Sequence, residues 1–309
     1  MTLPPPAQPD QPLPPAQPDQ PSPDPHADLA ALARRGRLLV LESTNAAGAG
    51  HIGGPLSAMD LLVALYARVM RVRPAEPDWA DRDRFVLSKG HSAVGLYVAL
   101  ALAGYFPVDE LRTFDQPGSR LQGHPDMTRL PALDASTGSL GQGISVGVGI
   151  ALGARLRGRG FHTWVMLGDG EMQEGQVWES VQFAAKERLG NLTVILDHNG
   201  LQQYGWPLRA GEEHRGDRRD PFGDVRARAP LEAFGWRVLE IDGHDFGQIV
   251  DACETARSLA PTGIPTAIVA RTVKGRGFSF TEGSIAWHAR AATDAEVAAA
   301  RAEMAEEAS

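Results

Sequence analysis

The chain has 309 residues, a formal net charge of −8 and a pI near 5.6, and no basic stripe, which argues against a nucleic-acid partner. No apolar run reaches membrane-spanning length, and the N-terminus lacks the basic start and apolar stretch of a secretory signal, so we expect no membrane association. One cysteine, Cys253, excludes an internal disulfide and favours a reducing, cytoplasmic location.

Residues 1–27 are rich in Pro, Gln, Asp and Ala, and the segment Pro6–Pro12 is repeated as Pro15–Pro21. Such a segment has little apolar surface to bury against the entropy cost of ordering. We therefore predict a disordered Pro-rich tail over 1–27, which is more typical of a linker than of a ligand for a proline-recognition module. A single α/β domain would occupy residues 28–309.

Helical and strand patterns alternate along the rest of the chain. Helices are predicted over 28–41, 56–70, 91–103, 141–157, 175–189 and 245–259, and strands over 84–87, 164–167, 192–196, 237–241 and 266–270. The sequence Thr293 to Glu296 is a capping box that opens a last helix. The charged stretch 209–228 is typical of an exposed loop. This order predicts an α/β fold, a doubly wound parallel sheet flanked by helices.

Two polar triplets follow neighbouring predicted strands. Gly168-Asp169-Gly170 ends one apolar run, and Asn199-Gly200-Leu201 follows the next, with the 175–189 helix as the crossover. Parallel strands bring such residues to the same carboxyl-end edge, where open α/β sheets bind ligands. Oxygen ligands beside glycines suit Mg²⁺ shared with a diphosphate. The alternative is an ordinary turn with Asp169 facing water, which the paired spacing makes less favoured.

Five further glycine-rich or loop motifs accompany this pair, and four of them contain a histidine that could exchange protons or bind hydroxyls near neutral pH. The motifs are Gly50–Gly54, Ser88–Ser92, Gly123–Pro125, Thr137–Gly143 and Trp287–His288. Taken singly, each histidine is more typical of a structural residue. A dinucleotide site at Gly141–Gly147 is rejected, because the glycine spacing is wrong and no strand precedes it. Only Lys89, Lys186 and Lys274 among 30 basic residues are lysine, which we attribute to genomic composition bias.

Taken together, these motifs resemble a known family. From about residue 29 to 290 the chain is similar to the N-terminal, diphosphate-binding domain of transketolase, and specifically to the separate N-terminal subunit of split transketolases. The matching motifs occur in the family's order: GHIGGPLS, LSKGH, GHP, TGSLGQG, GDGEMQEGQVWE, DHNGLQ and DGHD.

The resemblance implies thiamine diphosphate held through Mg²⁺. The metal would be bound by the side chains of Asp169 and Asn199 and the carbonyl of Leu201. The remaining cofactor contacts would come from His91, Gly138, Leu140 and Gly170. His51, His124 and His288 would line the substrate channel, and Glu174 would join a carboxylate network at a subunit interface. His244 is interpreted as structural. One departure concerns His288, which is followed by Ala289 where the family has glycine.

The resemblance also implies a partner. In this family the catalytic glutamate and the residues that bind sugar phosphates lie in a pyrimidine-binding domain, for which this chain has no counterpart. We therefore expect a separate C-terminal subunit, a two-plus-two heterotetramer, and two-carbon ketol transfer from a ketose phosphate to an aldose. The alternatives are the alpha subunit of a 2-oxo-acid dehydrogenase, deoxyxylulose-phosphate synthase, or a cofactor-binding subunit without activity.

Overall fold

The computed structural model describes residues 25–203 and 227–306. Within them, five parallel strands form one sheet in the order β1-β2-β3-β5-β4. The strands are Arg84–Leu87 (β1), Thr163–Gly168 (β2), Leu192–His198 (β3), Arg237–Asp242 (β4) and Thr266–Arg271 (β5). Residues 1–24 of the predicted tail and residues 209–226 of the predicted loop lie outside the described residues, so those two predictions remain predictions. The predicted tail ends slightly too late, because the first helix already begins at Ala27.

Eight α-helices of the described residues cover the sheet: Ala27–Ala47 (α1), Gly53–Ala64 (α2), Ala93–Leu102 (α3), Gln142–Leu156 (α4), Gly175–Lys186 (α5), Arg228–Ala233 (α6), Phe246–Ser258 (α7) and Asp294–Glu306 (α8). Helices α1, α2, α3 and α7 pack on one face with Trp164 and Met166 of β2. Helices α4, α5 and α6 pack on the other face with Val165 and Leu167. This alternation confirms the predicted doubly wound sheet, because both faces of each central strand are buried.

Several predicted boundaries were wrong by a few residues. Asp28 lies inside α1 and pairs with Arg68 at 2.8 Å instead of capping the helix. A short π-helical turn, Leu65–Val69, continues α2, and His91 lies in a 3₁₀ turn before α3. The strand β3 extends through His198 and so includes Asp197. The error in β3 arises because the polar residues Asp197 and His198 continue a strand that the apolar pattern alone marks as ended.

Side-chain caps fix the starts of two helices. Asp245 accepts from Gln248 N at 3.0 Å at the start of α7. At the start of α8, Glu296 N donates to Thr293 Oγ1 at 3.3 Å and Thr293 N donates to Glu296 Oε2 at 2.8 Å, which is the predicted reciprocal capping box. No helix in the described ranges combines the length and apolar character needed to cross a membrane.

Candidate functional site

A cavity of about 580 Å³ opens at the carboxyl-end edge of the sheet, beyond β1, β2 and β3. Nearly every residue that the sequence nominated lines it: His51, His91, Gly138, Leu140, Asp169, Gly170, Glu174, Asn199, Leu201 and His288. His124 is exposed at its rim, with its ring centroid 6.2 Å from that of His51. The sheet topology therefore gathers residues from six separate loops into one cleft.

The two polar triplets meet at the floor of this cleft. Gly200 N donates to Asp169 Oδ2 at 2.6 Å, and Gly170 N donates to Asp169 Oδ1 at 2.8 Å. The Asp169 side chain is buried and thus ties the loop after β2 to the loop after β3. The prediction that adjacent strand ends deliver these residues to one place is confirmed, and the alternative of a water-facing Asp169 is wrong.

The rest of the Asn199–Leu201 loop is already hydrogen-bonded. Asn199 Oδ1 accepts from Leu201 N at 3.1 Å, while the Leu201 carbonyl accepts from Lys274 Nζ at 2.7 Å. Each of these oxygens keeps a second lone pair. An ammonium group therefore already contacts one of the oxygens that the sequence nominated for a cation.

Asp169 is a buried carboxylate without an ion-pair partner among the described residues. Burial, followed by the nearby Asp197 carboxylate, raises its pKa, although the two backbone N–H donors act in the opposite direction. Charge on such a group is costly unless a cation lies close to it. Within the described ranges no three His, Cys, Asp or Glu side chains cluster as a metal site. The ligands predicted for Mg²⁺ are one carboxylate, one side-chain amide and one backbone carbonyl, so they would not form a cluster of that kind.

Asp197 beside it is compensated. Lys89 Nζ forms an ion pair with Asp197 Oδ2, Ser57 Oγ donates to the same oxygen at 2.6 Å, and Thr272 Oγ1 donates to Oδ1. Lys89 is 2% exposed and Asp197 is fully buried. Burial would raise the pKa of Asp197, but Lys89 and these hydroxyls hold it below its ordinary value. This pair connects β1, β3 and α2 beneath the cleft.

Four histidines form a cluster on one wall. The ring centroids of His51 and His91 lie 5.3 Å apart, those of His51 and His288 5.6 Å, and those of His91 and His288 5.3 Å. Burial lowers the pKa of His51, His91 and His288, and neighbouring histidines and lysines lower it further. The pKa of His288 falls to about 3. These rings are neutral at pH 7, so each can donate one hydrogen bond and accept another.

His288 is held in this cluster by two contacts. Its Nδ1 lies 2.8 Å from Lys274 Nζ, and the next residue, Ala289, forms an isolated antiparallel bridge with His51. Burial lowers the pKa of Lys274 to about 8, with Lys89 acting in the same direction. The alanine at position 289 therefore does not displace His288 from the cleft.

The glycine-rich segment before α4 is tied to the Asp169 loop by a glutamate. Glu171 Oε1 accepts from Ser88 Oγ at 2.5 Å and from Gly141 N at 2.9 Å, and burial raises the pKa of this carboxyl. Glu174, by contrast, is exposed at the mouth of the cleft. Gly138 has φ +154°, and a Cβ added there would lie 2.9 Å from the His124 ring. Glycine at 138 thus keeps the segment close to the histidines.

Comparison with known proteins identifies the scaffold. Residues 29–308 match the family described as "Transketolase, thiamine diphosphate binding domain". The chain is 42% identical, over 91% of its length and 97% of the relative's, to the 6-deoxy-6-sulfo-D-fructose transketolase subunit SqwG of Clostridium sp. MSTE9. It is 38% identical, over 90% and 95%, to an apulose-4-phosphate transketolase subunit of Actinobacillus succinogenes. The chain belongs to the transketolase family.

Solved transketolases share its fold but are longer. The structure of the Leishmania mexicana enzyme superposes with a TM-score of 0.78 at 29% identity, covering 90% of this chain and 41% of that one. A Pichia stipitis transketolase in complex with sedoheptulose 7-phosphate gives 0.77 at 32%, covering 89% and 40%. The protein is therefore a transketolase-type transferase that corresponds to the N-terminal subunit of a split enzyme. These relatives support that interpretation over a 2-oxo-acid dehydrogenase.

Within this transketolase cleft, sequence reasoning missed Lys89, Asp197 and Lys274. The rarity of lysine could have indicated two of these residues, because nearly all basic residues of the chain are arginine. Of the three lysines, Lys89 and Lys274 are buried at the site, with 2% and 3% exposure. Composition bias explains the scarcity of lysine but not its retention at these two positions. An ammonium group fits a narrow buried position that a planar guanidinium does not.

Proposed function

We propose that this subunit binds Mg²⁺ and thiamine diphosphate and, with a C-terminal subunit, transfers a two-carbon ketol unit from a ketose phosphate to an aldose. The observation that carries the proposal is the hydrogen bond from Gly200 N to Asp169 Oδ2. It joins two oxygen-rich loops around a buried carboxylate that forms no ion pair among the described residues. A divalent cation bridging this carboxylate to a diphosphate would supply the missing charge.

The donor set fits Mg²⁺ in its chemistry. Asp169 would supply a carboxylate oxygen, Asn199 its amide oxygen and Leu201 its backbone carbonyl, all of which are hard ligands. Lys274, which now contacts the Leu201 carbonyl, would remain beside the diphosphate as a second positive charge. Burial raises the pKa of Asp169 and so disfavours its ionised form, whereas a bound cation would favour the ionised carboxylate.

Glycines and one histidine fit the rest of the cofactor. Gly170 has no Cβ, so a diphosphate could approach its backbone closely. A Cβ at this position would also lie 3.0 Å from the side chain of Gln202. His91 lies in the same wall, and Gly138 and Leu140 would border the aminopyrimidine ring. When bound, thiamine diphosphate supplies the nucleophilic carbon and the electron sink for cleaving the bond beside the ketose carbonyl.

The histidine cluster would handle the sugar. His51, His124 and His288 would bind its hydroxyl groups, and the neutral state of His51 and His288 lets them donate or accept as the hydroxyls require. These residues would hold the scissile bond over the cofactor and move protons at the sugar oxygens. The cleft walls would exclude water during transfer.

A partner subunit would complete the site. Glu174 stands exposed at the cleft mouth, where it would join a carboxylate network across a subunit interface. The partner would supply the pyrimidine-binding domain with its catalytic glutamate, giving a two-plus-two heterotetramer with sites at the chain junctions. We place this assembly in the cytoplasm, in agreement with a single, buried cysteine.

Co-expression with a C-terminal transketolase subunit that carries the pyrimidine-binding domain tests the proposal. The purified complex should transfer a ketol unit from a ketose donor to an aldose, and neither chain alone should do so. Donors to compare are fructose 6-phosphate, xylulose 5-phosphate, 6-deoxy-6-sulfofructose and apulose 4-phosphate. Cofactor binding without transfer from any of these donors would instead favour a subunit that has lost activity.

A further inference from the structure

A second cavity, of about 540 Å³, lies at the amino-end edge of the same sheet. Its walls come from the segments that lead into β2, β3 and β5 and from the C-terminal part of α7. Among the described residues that line it are five arginines and no carboxylate: Arg71, Arg155, Arg159, Arg188 and Arg257. We call this cavity the arginine cleft. Composition explains why these residues are arginine, but not why five of them surround one cavity.

Carboxylates behind the cleft neutralise only part of this charge. Asp83 pairs with both Arg71 and Arg257, while Glu187 pairs with Arg155 and Asp81 pairs with Arg159. Arg188 has no carboxylate partner among the described residues, and its only hydrogen bond there is from Nη2 to the Thr262 carbonyl at 2.8 Å. The five guanidinium charges therefore exceed the paired carboxylates by two.

The backbone conformation at Arg188 and at Gly263 places the Arg188 side chain in the wall of the arginine cleft. Arg188 has φ +54° at the end of α5, and Leu189 N donates back to the Ala184 carbonyl at 3.1 Å. This is the left-handed position of a helix C-terminal motif, which glycine or asparagine usually fills. Opposite it, Gly263 has φ +75°, and a Cβ there would lie 3.1 Å from Arg188 Nε. Glycine at 263 leaves the space that the guanidinium uses.

Hydrogen-bonding capacity remains inside the cleft. Among the described residues, Arg159 donates only from Nη1, to Asp81 at 3.1 Å, and the Nη1 group of Arg71 forms no hydrogen bond. Asn191 donates from its amide nitrogen to the Ala151 carbonyl at 3.0 Å, which leaves its Oδ1 as an acceptor. Planar guanidinium donors of this kind suit phosphate oxygens, and an amide oxygen suits a hydroxyl group.

We propose that the arginine cleft is a second ligand site that binds a small organic phosphate, a phosphate monoester of about the size of a sugar phosphate. The charge excess of two matches the roughly −1.5 to −2 charge of a phosphate monoester at pH 7. The cavity lies within the roughly 300–1,000 Å³ typical of small-molecule sites and exceeds the needs of phosphate alone. The side chains of Phe161 and Pro261 supply apolar wall beside the arginines.

This site is separate from the transferase cleft. Strand β2 has 6 residues and runs from one cavity to the other. At about 3.3 Å per residue the two edges lie about 20 Å apart. A ligand in the arginine cleft therefore cannot contact the reacting atoms, and the proposal stands independently of the ketol-transfer reaction.

Calorimetric titration of the full chain tests the proposal, with glucose 1-phosphate, inorganic phosphate and glucose as probes. Glucose 1-phosphate has no free carbonyl and so cannot act as a ketose or aldose substrate. We expect saturable binding of glucose 1-phosphate, weaker binding of inorganic phosphate and none of glucose. Tighter binding of inorganic phosphate than of the ester would overturn the assignment to an organic phosphate, and binding of neither would overturn the site.

Variants and competition locate the binding. Arg188→Gln should weaken glucose 1-phosphate about tenfold, as expected for losing one charge-assisted contact, and Arg159→Gln similarly. The matched control Arg34→Gln, at an exposed position of α1, should leave the affinity unchanged. Equal weakening by the control, or displacement of the ligand by thiamine diphosphate with Mg²⁺, would overturn the proposal. So would loss of binding in the complex with the partner subunit, because the cleft would then be a protein interface.

Discussion

Two buried aspartates at opposite edges of one sheet behave in opposite ways. Asp83, at the amino-end edge, is fully buried and accepts from Arg71, Arg257 and the backbone N–H of His162. Burial would raise its pKa, yet these donors outweigh that effect and lower it. Asp169, at the carboxyl-end edge, is also buried, but its hydrogen-bond donors within ranges 25–203 and 227–306 are the backbone N–H groups of Gly170 and Gly200, and burial raises its pKa.

This contrast distinguishes a carboxylate that is paired within the fold from a carboxylate that would bind a ligand. At the amino-end edge the carboxylate is satisfied by the protein and the excess charge is positive. At the carboxyl-end edge the Asp169 carboxylate forms no ion pair among the described residues, although it lies beside the ion pair of Asp197 with Lys89. A buried charge that is paired within the fold is costly to unpair, whereas a buried charge without an ion pair is a candidate ligand site. Substitutions at the two edges should therefore differ in whether they change stability or ligand binding.

Lys89→Met should cause the largest loss of stability. It would leave Asp197 buried without its cation, so the free energy of unfolding should fall by about 3–5 kcal/mol. Urea unfolding of the cofactor-free chain measures this change. Lys186→Met, at an exposed position of α5, is the matched control and should change stability by less than about 0.5 kcal/mol. Equal effects of the two variants would contradict a structural role for the Lys89–Asp197 pair.

His51→Ala should impair the reaction more than it impairs cofactor binding. Loss of a group that binds and shuttles protons at the sugar should lower kcat/KM for ketol transfer by about 100-fold. The affinity for thiamine diphosphate should stay within about threefold of wild type, because His51 is proposed to contact the sugar and not the cofactor. Steady-state kinetics of the complex and calorimetry separate the two quantities. Unchanged kcat/KM would remove His51 from the proposed sugar-binding wall.

Asp83→Asn should destabilise the fold in a pH-dependent way. The folded pKa of Asp83 is lowered, so its stabilising contribution is present above the unfolded pKa of about 3.9 and is lost as pH falls through the folded pKa. At pH 7 the variant should be less stable than wild type by about 2 kcal/mol. That difference should shrink as the pH falls below about 4. A difference that is constant with pH would contradict the ion pairs described here.

Arg188→Gln should have the smallest effect on stability. Its guanidinium has no carboxylate partner among the described residues, so the free energy of unfolding should change by less than about 0.5 kcal/mol. Thermal unfolding without phosphate measures this. A loss of more than about 2 kcal/mol would mean that Arg188 serves the fold instead of a ligand.

Much of the fold was readable from sequence because its signals are local. The apolar runs of β2 and β3 and the Thr293–Glu296 cap depend on neighbours a few residues apart. The Asp169 and Asn199 loops could also be placed together, since a crossover connection forces parallel strands to end at the same edge.

The remaining features depend on contacts between distant segments. His51, His91 and His288 converge only because α2, the turn before α3 and the segment after β5 end at one edge, which no spacing reveals. Lys89 and Asp197 are 108 positions apart along the chain, so their ion pair could not be predicted from sequence spacing. Asp197 follows an apolar run, and the pattern did not indicate that it is buried. The arginine cleft is likewise assembled from four separate connections.

Binding of Mg²⁺ by the Asp169 carboxylate at the carboxyl-end edge is the basis of the proposed function. Calorimetric titration of thiamine diphosphate into the full complex, with Mg²⁺ and with EDTA, tests it in wild type, Asp169→Asn and the exposed control Asp251→Asn. We expect Mg²⁺-dependent binding in wild type and control, and at least a ~100-fold loss in Asp169→Asn without loss of stability, because a costly buried charge is removed. Equal Mg²⁺-dependent affinity in all three proteins would contradict the account.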